Sequence, residues 1–284
     1  MLNLLFGSKL TPWDAEFIAG RHPVQFRKIG RRTVAGERWH NTGWTFPSLV
    51  KDLTEKISCQ LPENQGIGTW ASIGIGIASL FAIFSQLYRV DILKPGDSMD
   101  VAVNADDLLT VISAVFAKNW GLPIGTVVCG CEQSDGLWEL LHNGEMASEE
   151  IHPNSERITD SMEILLWELG GAGETMRFLR AVEAGRTYIP GEPVLRKLRS
   201  CLSASVIGEE RVLNTIPGVW SSHHYILDPG AATAYAGLLD YRAVSGASCW
   251  GMVLCDRSPS LDTVKISQAL HCPETELEKI LRKS

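Results

Sequence analysis

Three aspartates and two adjacent histidines are the residues whose types and positions best suit proton transfer. Asp106 and Asp107 follow the apolar run Val101-Ala102-Val103, and Asp256 follows a second run, Met252-Val253-Leu254-Cys255. Short apolar runs read as buried strands, so all three carboxylates stand at strand ends. Carboxylates gathered out of water raise at least one pKa, and a split pair does acid–base chemistry without a cofactor. The same residues also serve as plain helix caps. His223-His224 precedes Tyr225. An imidazole facing a cleft acts as a general acid or base near neutral pH. Adjacent strand side chains diverge, so the two do not share one ligand, and a surface pair is the simpler alternative. Cys129-Gly130-Cys131 sets two thiols on one strand face, a spacing a soft metal uses. No second Cys/His pair matches it, so buried thiols are the preferred reading. Cys255 is a candidate nucleophile for which the sequence supplies no base.

Apolar strand-like runs alternate with helical patterns along the chain. Thr126-Val127-Val128-Cys129 and residues 248–255 read as strands, and residues 136–141, 161–169, 261–270 and 275–283 read as helices. Arg157-Ile158-Thr159 reads as strand-like and Gly170-Gly171-Ala172-Gly173 as a loop. Alternation of this kind predicts an α/β fold, an open and mostly parallel sheet with helices on both faces. Ligands of such sheets bind at the carboxyl ends of the strands. Residues 104–107, 129–134 and 255–258 are therefore expected on one rim, with Val101-Ala102-Val103 and Met252-Val253-Leu254 as inner strands.

The stretch 101–123, VAVNADDLLTVISAVFAKNWGLP, resembles the strand–loop–helix of threonine synthase, a pyridoxal-phosphate (PLP) enzyme of fold type II. Ala117-Lys118-Asn119-Trp120-Gly121-Leu122-Pro123-Ile124 resembles the family's AKKMGLPI. Asp106, Asp107, Leu108 and Leu109 stand where the family has the Gly-Asn-Phe-Gly of its phosphate loop. Residues 226–236, ILDPGAATAYA, resemble LLDPHTAVAYA, and residues 251–259 resemble a strand end of the VVLSTASP type. Weaker matches in the same order are residues 9–16, residues 46–52 against an LVKE segment, residues 68–73 against INWARI, and residues 161–169 against SNFERLLFEL. The resemblance implies the large domain of threonine synthase, as a single domain over 1–284. It also implies losses. The lysine motif of the family lies upstream of every match, and Lys51 is excluded as a Schiff-base lysine because its flanks match the later segment. The family's NWAR arginine is Ser72 here, the ring-partner threonine is Asp256, and the histidine of DPHTA is Gly230.

A phosphate is held by backbone N–H groups at a glycine-rich helix start. Two carboxylates at that point oppose it and cap the helix themselves. The expectation is therefore no cofactor: PLP does not bind covalently, and the old cleft binds or transforms a small molecule through Asp106, Asp107, Asp256, His223 or His224. If the chain is an enzyme, a PLP-independent acid–base lyase or isomerase fits better than threonine synthase activity. Two alternatives stand beside it: a non-catalytic pseudoenzyme subunit pairing with another chain, and half of a split PLP-dependent lyase.

Composition bounds the partners. In 284 residues, 45% are hydrophobic and 21% charged, with a net charge of −7, an ordinary globular balance that disfavours nucleic acid and anionic membrane. Seven loosely spaced cysteines suit a reduced, cytoplasmic protein. The charge-free stretch 65–88 has the length of a membrane span, but its Gly and Ser content suits a buried helix. Residues 1–6 read as a buried strand rather than a signal peptide. Arg27, Lys28, Arg31, Arg32 and Arg38 read as a solvated turn. Loss of the lysine-bearing section would leave an edge that a homo-oligomer or partner chain covers, with residues 1–6, Trp13, Phe17, Trp39 and Trp44 as its candidate surface.

Overall fold

The computed structural model describes residues 25–37, 66–133, 136–147, 156–255 and 257–281. Six strands form one sheet: β1 (Gln25–Gly30), β2 (Thr33–Glu37), β3 (Met99–Asn104), β4 (Ile124–Cys131), β5 (Leu202–Val206) and β6 (Trp250–Cys255), in the order β1-β2-β6-β3-β4-β5. β2, β6, β3, β4 and β5 run parallel, and β1 joins β2 as an antiparallel edge. The expected inner strands β3 and β6 sit side by side in the middle.

Strands buried on both faces need apolar residues at every position, which is why the pattern runs continuously. Val101, Val103, Val127, Cys129, Met252 and Leu254 point into one core, against α1 (Gly66–Arg89), α2 (Leu108–Asn119) and α4 (Glu156–Glu183). Between α2 and α4 in sequence lies α3 (Gly136–His142). The alternate residues Ala102, Val128, Val253 and Cys255 point into a second core. That core is closed by α6 (Glu209–His223), α7 (Pro229–Ser245) and α8 (Thr263–Leu270), while α5 (Glu192–Cys201) precedes β5 and α9 (Glu274–Leu281) ends the described chain.

α7 lies unusually close to the sheet. Its inner face is Ala231, Ala232, Ala234 and Ala236. It also crosses Gly130, where a Cβ would stand 2.7 Å from the Thr233 carbonyl carbon and 2.9 Å from Ala234 N. The helix is fixed at both ends. Asp228 caps it at the carboxyl side of the sheet, accepting from Ala231 N at 3.1 Å. At the other end Arg242 donates to Thr33 Oγ1 at 2.8 Å and to the Cys249 carbonyl at 3.0 Å, tying α7 to the starts of β2 and β6.

Several elements differ from the sequence reading. The basic cluster is exposed but only partly a turn: Arg31 and Arg32 form the exposed turn of a β-hairpin, Arg27 and Lys28 lie exposed on its edge strand β1, and Arg38 lies outside the described residues. Residues 157–159 are helical, and the Gly170-Gly171-Ala172-Gly173 loop is instead a break inside α4, with Gly171 at φ 69° and ψ −170°. Only glycine reaches that conformation without strain. β5 and α5 add to the expected alternation. α1 is long and apolar enough to cross a membrane by length, yet 61% of its apolar window is buried, and it packs on α2 through Ser113 Oγ, which donates to the Ile73 carbonyl at 3.3 Å.

Candidate functional site

The parallel strands bring Asn104, Cys131 and Cys255 to one rim, as the alternation predicts. At its centre is the β3–α2 turn, and its hydrogen bonds are closed internally. Ala105 N donates to the Gly130 carbonyl at 2.9 Å, Asp106 N to Asn104 Oδ1 at 3.2 Å, and Asp107 N to the Asn104 carbonyl at 3.1 Å. Asp107 is the N-cap of α2: Oδ1 accepts from Thr110 N at 3.2 Å and Oδ2 accepts from Thr110 Oγ1 at 2.6 Å. Its carboxylate meets the positive end of the helix, where an external anion would otherwise sit. Asp106 is exposed at the tip of the turn. Gly230, at the start of α7, closes on the same turn: a Cβ there would lie 3.0 Å from Asn104 Nδ2.

Asp256 lies outside the described residues, as do residues 1–6, Trp13, Phe17, Trp39, Trp44 and Lys51. His223 and His224 are exposed at the far end of α6, where His224 caps the helix in a left-handed conformation and its ring meets Trp220 edge-on at 5.5 Å. They are not in the β3–α2 turn: neither imidazole hydrogen-bonds to Asp106 or Asp107. Cys129 and Cys131 are buried, and no cluster of three or more metal-ligating His, Cys, Asp or Glu side chains occurs among the described residues.

Two groupings on the rim carry no local sequence signal. Glu37 and Cys255 are register partners at the ends of β2 and β6, and the buried Tyr225 hydroxyl neighbours both. Burial, and then the neighbouring Cys255 and Glu37, push the Tyr225 hydroxyl well above the usual phenol range, so it stays protonated as a donor. Arg27 lies 3.9 Å from the Glu37 carboxylate. The second grouping lines a small pocket of about 180 Å³ beside the start of α7, formed by Glu132, Glu209, Val212, Leu213, Pro229 and Lys265. Its charged residues come from the end of β4, the first turn of α6 and α8, elements far apart in sequence. Glu132 lies in the 129–134 segment that the strand alternation places on the rim; Glu209 and Lys265 carry no such signal.

The rim thus combines carboxylates, a protonated phenol, a thiol and one lysine. It can hold a small polar or cationic molecule. At α2 the N–H groups of Ala105, Asp106, Asp107 and Thr110 are taken by acceptors among the described residues, those of Leu108 and Leu109 are not, and the carboxylates of Asp106 and Asp107 beside them oppose an anion.

No family model matches this chain. It is 25% identical over 175 residues to threonine synthase-like 2 of Xenopus laevis, a match covering 58% of this chain and 36% of that protein. Among solved structures it is similar to PLP-bound threonine synthase from Brucella melitensis (TM-score 0.57, 20% identity, 75% of this chain and 46% of that one). It is similar too to threonine synthase from yeast (TM-score 0.57, 18% identity, 74% and 47%). The chain spans about a third of the length of the curated relative and about half of each solved structure. The fold is similar to that of threonine synthase over about half of that protein, and the sequence is similar to part of threonine synthase-like 2.

Proposed function

We propose that this threonine synthase-like chain does not hold PLP, and that the carboxyl rim of its sheet serves a different small molecule. One observation carries the reading: every backbone N–H from Ala105 to Asp107 has an acceptor within the protein, and the Asp107 carboxylate takes Thr110 N, one of the first-turn donors of α2, placing its charge at the helix start. A phosphate entering there would displace three internal hydrogen bonds and face two carboxylates, Asp106 and Asp107. Like-charge contact of that kind opposes binding. The Brucella protein is described as PLP-bound; the proposal is that this chain departs from it at this turn.

The test is incubation of the full chain with PLP, borohydride reduction and peptide mapping. The expected result is no stoichiometric pyridoxyl adduct. A single lysine labelled to completion, Lys51 included, would overturn the reading.

A second reading, a subunit that pairs with another chain, is supported by β5, an edge strand among the described residues that ends in the half-exposed Val206, and by exposed Trp120 and Trp167 at α2 and α4, whose core β5 shares. Exposed strand edges and large apolar side chains favour association.

A further inference from the structure

We infer that the pocket between β4, α6 and α8 is a binding site for a short amine that also carries an oxygen acceptor. The inference rests on the reading that the rim serves a small molecule without PLP, and it names the ligand's chemistry.

Three charged side chains line the pocket, Glu132, Glu209 and Lys265, over a floor of Val212, Leu213 and Pro229. None of the three makes a hydrogen bond or ion pair with another described residue. Arg211, on the same turn of α6, is by contrast paired with Asp240 of α7 at 2.8 Å. Lys265 shares one small concavity with two carboxylates yet stays beyond ion-pair distance of both. The gap suits a bridging molecule. Its ammonium end meets the two carboxylates, and an oxygen at its other end accepts from the Lys265 ammonium. Two carboxylates against one ammonium leave the pocket net negative, so a ligand with no cationic group is disfavoured.

Size and position narrow the class further. At about 180 Å³ the pocket is smaller than those that take drug-sized ligands, roughly 300–1,000 Å³. The start of α6 also helps the acceptor end. Its N-cap is Gly208, which provides no side-chain cap; Arg211 N and Val212 N donate to the Gly208 carbonyl, which leaves the Glu209 and Glu210 N–H groups as donors. Pro229, on the pocket wall, is followed by Gly230, which closes on Asn104 of the β3–α2 turn. The pocket therefore adjoins the rim.

The experiment is NMR or calorimetric titration of the full chain with ethanolamine, glycine, ethylammonium, acetate and inorganic phosphate. Ethanolamine or glycine is expected to bind in the millimolar range and ethylammonium more weakly; which of the first two is tighter tells whether the acceptor is a hydroxyl or a carboxylate. Glu132→Gln and Glu209→Gln should each weaken binding about tenfold. Lys265→Met should remove the advantage over ethylammonium. All three positions are exposed, so the variants keep the fold. No saturable binding of any amine, equal binding of acetate or phosphate, or unchanged affinity in both glutamine variants would overturn the inference. PLP added to the same samples separates the two claims: a pyridoxyl adduct sinks the proposed function, whereas absent amine binding sinks the ligand assignment alone.

Discussion

Replacing Asp107 with alanine tests whether the β3–α2 turn is closed in the way described. The carboxylate contributes twice: it accepts Thr110 N at 3.2 Å as a helix cap, and it accepts the hydroxyl of Thr110, a buried residue, at 2.6 Å. Loss of an N-cap costs about 1 kcal/mol. The Thr110 hydroxyl left without this acceptor adds about 1 kcal/mol, and loss of a negative charge at the helix start adds about 0.5 kcal/mol. The sum is about 2.5 kcal/mol, which for a chain of this size lowers Tm by about 5–10 °C. Asp107→Asn keeps an acceptor for Thr110 N and loses only the charge, so it costs under about 1 kcal/mol. Thermal unfolding by circular dichroism of the native chain and both variants is the assay. An alanine variant within about 0.5 kcal/mol of native, the range of an ordinary surface change, would mean that Asp107 does not close the helix start, and the case against a phosphate there would fail with it.

Other consequences are also measurable. Gly130→Ala drives a Cβ to 2.7 Å from the Thr233 carbonyl carbon, so it should destabilise by about 3 kcal/mol or fail to fold; a chemical-denaturation midpoint equal to native refutes the close approach of α7. Burial, then the hydrogen bond to Asp100 and its charge, push the Cys249 thiol up from 9.0 to about 11. The folded state thus favours the neutral thiol, and the stability this gives is full below pH 9 and lost as pH rises to about 11. Cys249→Ala should flatten the fall in stability over that window, and an unchanged pH profile refutes it. Self-association or pairing should bury roughly 1,600 Å²; a compact monomer in light scattering at high micromolar concentration, with no partner retained, counts against it.

The sheet was legible because a strand buried on both faces is mostly apolar, and β3, β4 and β6 are, with the buried Asp100 of β3 held by Thr126 N and Cys249. Asp107 as a cap was legible too, since a carboxylate just before an apolar helix has one common use. β1 was missed because its edge position lets Arg27 and Lys28 interrupt the apolar pattern. β5 was missed because Leu202-Ser203-Ala204-Ser205-Val206 carries small polar residues where half its surface is uncovered. The Cys129-Gly130-Cys131 triplet invited a metal reading through its thiols, yet its glycine is the residue with a definite task, admitting α7. The pocket around Glu132, Glu209 and Lys265 and the contact of Tyr225 with Glu37 and Cys255 join residues from different elements. No spacing along the chain encodes them; they follow from strand order, above all from the insertion of β6 between β2 and β3.

Phosphorus-31 NMR titration of PLP into the full native chain, read together with absorbance in the aldimine region, bears most directly on the central claim. The expected result is a PLP phosphate resonance unmoved by protein and no aldimine band. A saturable, stoichiometric shift of that resonance would contradict the account, because PLP would then be held by this chain through its phosphate.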